Sequence, residues 1–211
     1  MTLIAGLTIL WLILVLLLSK WIRKFNLYLY GIAVIVAVIA FTQETNIFNM
    51  GYVGLSFFIL VMFASSLSQG FVKKKLMGNR AELAVFGSIF SIGHGLKYIV
   101  FAIDFSFLWR APLYFYIGVA SLVVMLPLAI TSLMFIRKKM KGKTWKLLHK
   151  LSYLFYGAVA LHLILINSER LIFYIVVFSL YIIYRGLAWL QAKQQKSLKT
   201  HKEMKKGPAT A

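Results

Sequence analysis

The stretch "KTWKLLHKLSYLFYGAVALHLILI", residues 143–166, decides how the chain is read. It opens on basic residues, continues as an apolar run fit for lipid, and carries two imidazoles, His149 and His162, thirteen positions apart. An ionisable side chain inside a membrane span is costly and marks a functional site unless a neighbouring helix satisfies it.

The rest of the 211 residues has the same character. The chain is 61% hydrophobic with a mean hydropathy of +0.83, beyond an ordinary soluble domain. Apolar runs near the roughly 17–25 residues that cross a bilayer fall at residues 2–19, 27–41, 50–69, 82–103, 112–136, 146–166 and 170–189. They are continuously apolar, whereas barrel strands alternate in segments of about ten residues. The expected fold is therefore an all-α integral membrane protein, a bundle of six to seven transmembrane helices, the count depending on whether the short run 27–41 spans.

Charge supports that division. The connections after the first, third and fifth runs hold Lys20, Arg23 and Lys24; Lys73, Lys74, Lys75 and Arg80; then Arg137, Lys138, Lys139, Lys141 and Lys143. The segment "TQETNIFN" has no basic residue, and the other two intervening connections offer only Arg110 and Arg170. Strict alternation of this kind predicts a multi-pass protein of the cell membrane with its N-terminus outside and a cytoplasmic C-terminus. Residues 1–190 then form the bundle and 191–211 a basic cytoplasmic tail, a helix extension that frays. Topology and anionic membrane lipids account for most of the +19 charge, and no soluble basic surface for nucleic acid remains. The first run lacks a basic leader and is followed by its charges, so it reads as a retained helix rather than a signal. With no cysteine, disulfides and thiolate metal sites are excluded.

Local signals place the helix ends. Asn79 followed by Glu82 has the spacing of an N-cap with its acidic partner. Pro112 suits a first helical turn, and Pro127 within a run predicts a kink.

His201 lies among tail lysines, whereas His94, His149 and His162 fall in or beside apolar runs. Zinc needs three or four converging ligands, and thirteen residues of helix separate His149 from His162 by about 19 Å. One ion cannot join them. A b-type haem asks for one axial imidazole from each of two facing helices, so two histidines on one helix imply two stacked haems. Measured from the basic side, His149 stands at about 5 Å, His94 at about 18 Å and His162 at about 24 Å, which pairs His94 with His162. Arg80, about 21 Å below His94, shares the depth of His149, where it can contact haem propionates or, less usually, iron. A positive-inside arginine at a helix start is the plainer reading. On one continuous helix the two histidines differ by about 140° in azimuth, so either the helix is distorted near Gly157 or the sites lie on different sides. Lys97 and Lys150 are candidate propionate partners, with snorkelling the simpler account. Tyr98 and Tyr153, each four residues beyond a histidine, are candidates to pack on a porphyrin edge.

The run "LPLAITSLMFIRKKMKGKTWKLLHKLSYLFYGAVALHLIL" resembles the ferric reductase-like transmembrane domain, especially its short bacterial members of the MsrQ and YedZ type. The shared pattern is a basic loop, G-K-x-W-x-x-L-H-x-x-x-Y, and a second histidine thirteen residues after the first. "NRAELAVFGSIFSIGHGLKYIVF" resembles the partner helix, with an arginine fourteen residues before its histidine. The likeness covers about residues 79–185. It implies a haem b protein, with one or two haems on His94, His149 and His162 and with Arg80 beside the inner one, and with FMN or quinone as further candidate cofactors. It also implies electron transfer from a separate flavin reductase or quinol to an extracytoplasmic acceptor, such as a methionine sulfoxide reductase or ferric iron. The larger relatives carry a histidine where Arg80 stands and a flavin and nicotinamide module after the last span. No GxGxxG fingerprint follows Trp189, so the chain is expected to act as an oxidoreductase membrane subunit without its own NAD(P)H or flavin domain. The alternative is a haem-free transporter or assembly factor whose histidines bind ions or join helices.

Overall fold

In the computed structural model the described residues are 2–42, 51–67, 69–104, 108–166 and 168–205. They are all-helical, with no strand among them. The helices are α1 (Thr2–Lys24), α2 (Asn26–Thr42), α3 (Tyr52–Ala64), α4 (Phe71–Gly78), α5 (Arg80–Asp104), α6 (Leu113–Ser132), α7 (Met134–Arg137), α8 (Gly142–Leu148), α9 (Leu151–Ile166) and α10 (Leu171–Lys205). Single 3₁₀ turns at Leu108–Arg110 and Ser168–Arg170 lead into α6 and α10.

Among the described residues, five stretches are long and apolar enough to cross a bilayer: Thr2–Lys24, Arg80–Ile103, Leu113–Ser132, Gly142–Ile166 and Leu171–Gln195. Asn26–Thr42 and Tyr52–Ala64 are shorter apolar helices. The chain is an integral membrane helical bundle. Leu17, Leu27, Val123, Ile172 and Ile182 lie exposed on its outer face, the arrangement expected where lipid tails replace water as the solvent of the surface.

The centre belongs to α3. Nearly all of its thirteen residues are buried, from Tyr52 to Ala64, and it packs against α1, α4, α5 and α10. Small residues allow the closest approach, since a side chain at Gly54 would overlap Ser91 of α5. Such contacts drive helix association in a membrane, where apolarity does not distinguish a neighbour helix from lipid. Trp11 of α1 stacks on Phe57 at 4.5 Å and donates through Nε1 to Ser56 Oγ at 3.0 Å.

Three sequence expectations are refined. The Asn79 backbone carbonyl accepts from Leu83 N as an N-cap carbonyl does, but the side-chain amide donates to Ser19 Oγ of α1 at 2.6 Å and to Lys75 O at 2.8 Å. It therefore clamps helices together. The apolar run 112–136 ends as helix at Ser132, where Leu133 turns extended at φ −62° and ψ 129°. The run 146–166 is interrupted at His149 and Lys150, between α8 and α9, while Gly157 lies in unbroken helix. Helix α10 continues into the basic tail to Lys205. The segment 43–50, most of the basic-free connection, and the side chain of His201 lie outside the described residues.

Candidate functional site

At the basic end the bundle encloses a cavity of about 320 Å³. Its apolar walls include Phe58, Val61, Met125, Leu128 and Phe155, and its polar residues include Arg23, Arg80, Glu82, Arg137 and His149. His149 and Arg80, placed at equal depth by the sequence, are thus brought to one cavity by α5 and the α8–α9 junction. Arg80 lies within electrostatic reach of the buried Tyr156 on α9. Glu82 is itself buried and lies within the electrostatic reach of Arg23 and Arg137.

The break in the helix explains the posture of His149. Its backbone closes α8, with His149 N donating to Trp145 O at 3.0 Å, and its ring lies 4.1 Å from that of Trp145. Trp145 Nε1 donates to Thr131 O at 3.1 Å, and the Arg137 guanidinium sits 4.7 Å over the indole. His149 Nε2 lies 3.1 Å from Thr131 Oγ1. A ring so surrounded has a fixed orientation.

Toward the opposite end, His162 meets α6. Its Nδ1 is 2.8 Å from Tyr114 O, and because a carbonyl only accepts, Nδ1 carries the proton and Nε2 the lone pair. Gly118 makes room for this ring: a Cβ there would stand 2.8 Å from His162 Cε1. His94, on α5, abuts Gly51, where a Cβ would come within 3.1 Å of the imidazole Cδ2 and where φ is +66°, a backbone region suited to glycine. Tyr98 stands edge-on to His94 at 5.0 Å, and Tyr114 stands 6.4 Å from His162. Each of these histidines thus has a tyrosine ring beside it.

Not every sequence candidate joins a site. Tyr153, expected beside His149, accepts hydrogen bonds from Arg185 Nε at 3.1 Å and Nη2 at 2.6 Å on α10. Lys150 is exposed. Conversely, Thr131, Tyr114, Gly118 and Tyr156 carry no sequence signal as site residues. Arg23 and Arg137 were visible only as loop charge, and Trp145 only as one letter of a motif.

Residues 50–160, just over half the chain, match the family described as ferric reductase like transmembrane component. The chain belongs to this family. The match takes in α3 through most of α9 and includes Arg80, His94 and His149. Over 113 residues the chain is 39% identical to an uncharacterized protein of Treponema pallidum, covering 50% of this chain and 31% of that one. Over 103 residues it is 31% identical to the magnetosome protein MamZ of Magnetospirillum gryphiswaldense, covering 46% of this chain and 16% of that one. This ferric reductase-like chain thus spans less than a third of either relative's length. No solved structure matches it.

Proposed function

We propose that the chain is a haem b electron-transfer subunit of the cell membrane, taking electrons at its basic, cytoplasmic end and delivering them to an acceptor outside. The observation that carries this reading is the tautomer of His162. Fixed by Tyr114 O at Nδ1, the ring presents Nε2 with its lone pair, the state an axial iron ligand requires.

The remaining residues fit the same group. An imidazole beside guanidiniums over apolar walls, as at His149, suits a flat apolar macrocycle with acidic substituents. His94 and His162 would hold the outer haem, with Gly51 and Gly118 leaving space at the rings. His149 would hold the inner one, with Arg80, Arg23 and Arg137 on the propionate side of the cavity. Bound haem supplies one-electron exchange between ferric and ferrous iron. The protein's part is to fix the rings, exclude water with the α3 core and keep positive charge at the basic end.

Two carriers along α8–α9, roughly 20 Å apart, would bridge most of a roughly 30 Å hydrocarbon core. The donor is a separate cytoplasmic flavin reductase or quinol, with FMN or quinone as accessory cofactors. The acceptor is an extracytoplasmic protein such as a methionine sulfoxide reductase, in the manner of the MsrQ and YedZ proteins, or ferric iron. The test is the purified protein: a reduced-minus-oxidised b-type spectrum supports the reading. A colourless protein from haem-replete cells would instead favour a haem-free transporter or assembly factor.

A further inference from the structure

The two histidines of the 143–166 stretch meet different partners, His162 Nδ1 a main-chain carbonyl and His149 Nε2 a hydroxyl. Thr131 Oγ1 lies 2.6 Å from Pro127 O and 3.4 Å from Leu128 O. Both are carbonyls and can only accept, and the 2.6 Å contact is shorter than the 3.1 Å one to His149 Nε2, which favours the hydroxyl proton on Pro127 O. With the proton there, Thr131 turns a lone pair toward His149, and the 3.1 Å contact is an Nε2–H donating to Oγ1. In a neutral ring the lone pair then resides on Nδ1. His162 is the reverse, with Nδ1–H on Tyr114 O and a bare Nε2.

We propose that Thr131 sets the affinity of the inner site: its hydroxyl holds His149 Nε2 as a donor, so that His149 binds iron through that nitrogen only by giving up Thr131. This deepens the haem reading of the preceding section and rests on it. Ligation needs the proton to leave Nε2 and one to be taken up at Nδ1, with no net change in protonation, and it needs the Thr131 hydrogen bond to break. The outer ligand His162 faces neither demand. Thr131 is well placed to impose this threshold because it is fixed twice over. Its hydroxyl is tied to the last turn of α6, and its carbonyl receives Nε1 of Trp145, whose ring lies tilted against that of His149 at 4.1 Å. The inner haem is accordingly the more weakly held of the two, and the difference is carried by a side chain outside the iron's own ligand set.

Thr131→Val keeps the shape of the side chain and removes the acceptor, whereas Thr131→Ser keeps the hydroxyl. Haem loss from the full-length protein in lipid, followed with apomyoglobin as the scavenger, should be biphasic. The phase absent from His149→Ala reports the inner site. Thr131→Val should slow that phase by about fivefold, the scale of one net hydrogen bond, and Thr131→Ser should leave it unchanged. An unchanged or faster inner phase in Thr131→Val overturns the assignment. A wild-type protein that neither contains haem nor takes up added hemin overturns the parent reading instead. If Thr131→Val does not assemble, the decision passes to the wild type made under haem limitation with ¹⁵N-histidine, with His149→Gln locating the signal. A proton on Nε2 of His149 supports the proposal, and a proton on Nδ1 refutes it.

Discussion

His162 and Tyr114 are joined across α9 and α6 by a 2.8 Å hydrogen bond from the imidazole Nδ1 to the main-chain carbonyl. The bond selects a tautomer and leaves Nε2 bare. Everything proposed for the outer half of the bundle depends on that ring and on the space around it.

Replacing either His94 or His162 with alanine is expected to remove the same component of the b-type spectrum, because losing one axial imidazole opens a coordination position and frees the haem. Absorbance and low-temperature spectra of the two variants give the comparison. Loss of different components would dissolve the proposed pairing.

Gly118→Ala should mimic His162→Ala without touching the histidine. The added methyl carbon would lie 2.8 Å from His162 Cε1, closer than carbon atoms tolerate, so the ring must move. The expected result is a helical, membrane-inserted protein with the outer spectral component lost or displaced. Gly157→Ala, where nothing lies within 4 Å of the new Cβ, serves as the control and should leave the spectrum intact.

His149→Ala tests the inner site as the point where electrons arrive. The outer haem should survive, while its reduction by a donor on the cytoplasmic side slows by at least about tenfold, since removing a midway carrier leaves most of a roughly 30 Å core to cross. Stopped-flow reduction of oriented vesicles measures it. Wild-type reduction of the outer haem in this variant would take His149 off the path.

Asn79→Ala should destabilise the bundle by about 1–3 kcal/mol. Asn79 is fully buried and its amide reaches Ser19 Oγ at 2.6 Å, so the substitution strands a hydroxyl between α1 and the α4–α5 junction. Thermal unfolding in detergent, followed by circular dichroism, reports the loss. Unaltered stability would mean that the clamp between these helices contributes nothing net.

Reporter fusions after residues 48, 107 and 167 should read as outside, and fusions after residues 23, 75, 141 and in the tail as inside, because basic loops resist translocation. An inside signal after residue 48 would show that α2 does not cross the membrane, and the depth assignments for the histidines would then have to change.

The sequence by itself determined the class of the molecule and the candidates for its site. Continuous apolar runs separated by alternating basic loops state a helical membrane bundle, and three histidines with Arg80 at fixed spacing name candidate side chains and their relative depth. Spacing along a helix is a one-dimensional quantity, and depth in a membrane is nearly so. Neighbourhood is not. In lipid a helix face is apolar whether it meets a tail or another helix, so nothing in the α3 residues announces that they occupy the centre while the equally apolar α2 stays largely exposed. The contact of Thr131 with His149 Nε2, the bond from Trp145 to the Thr131 carbonyl and the support of His162 by a main-chain carbonyl were decided by tertiary structure alone. Each joins residues of different helices through a directional hydrogen bond, and hydropathy and charge patterns carry no record of direction.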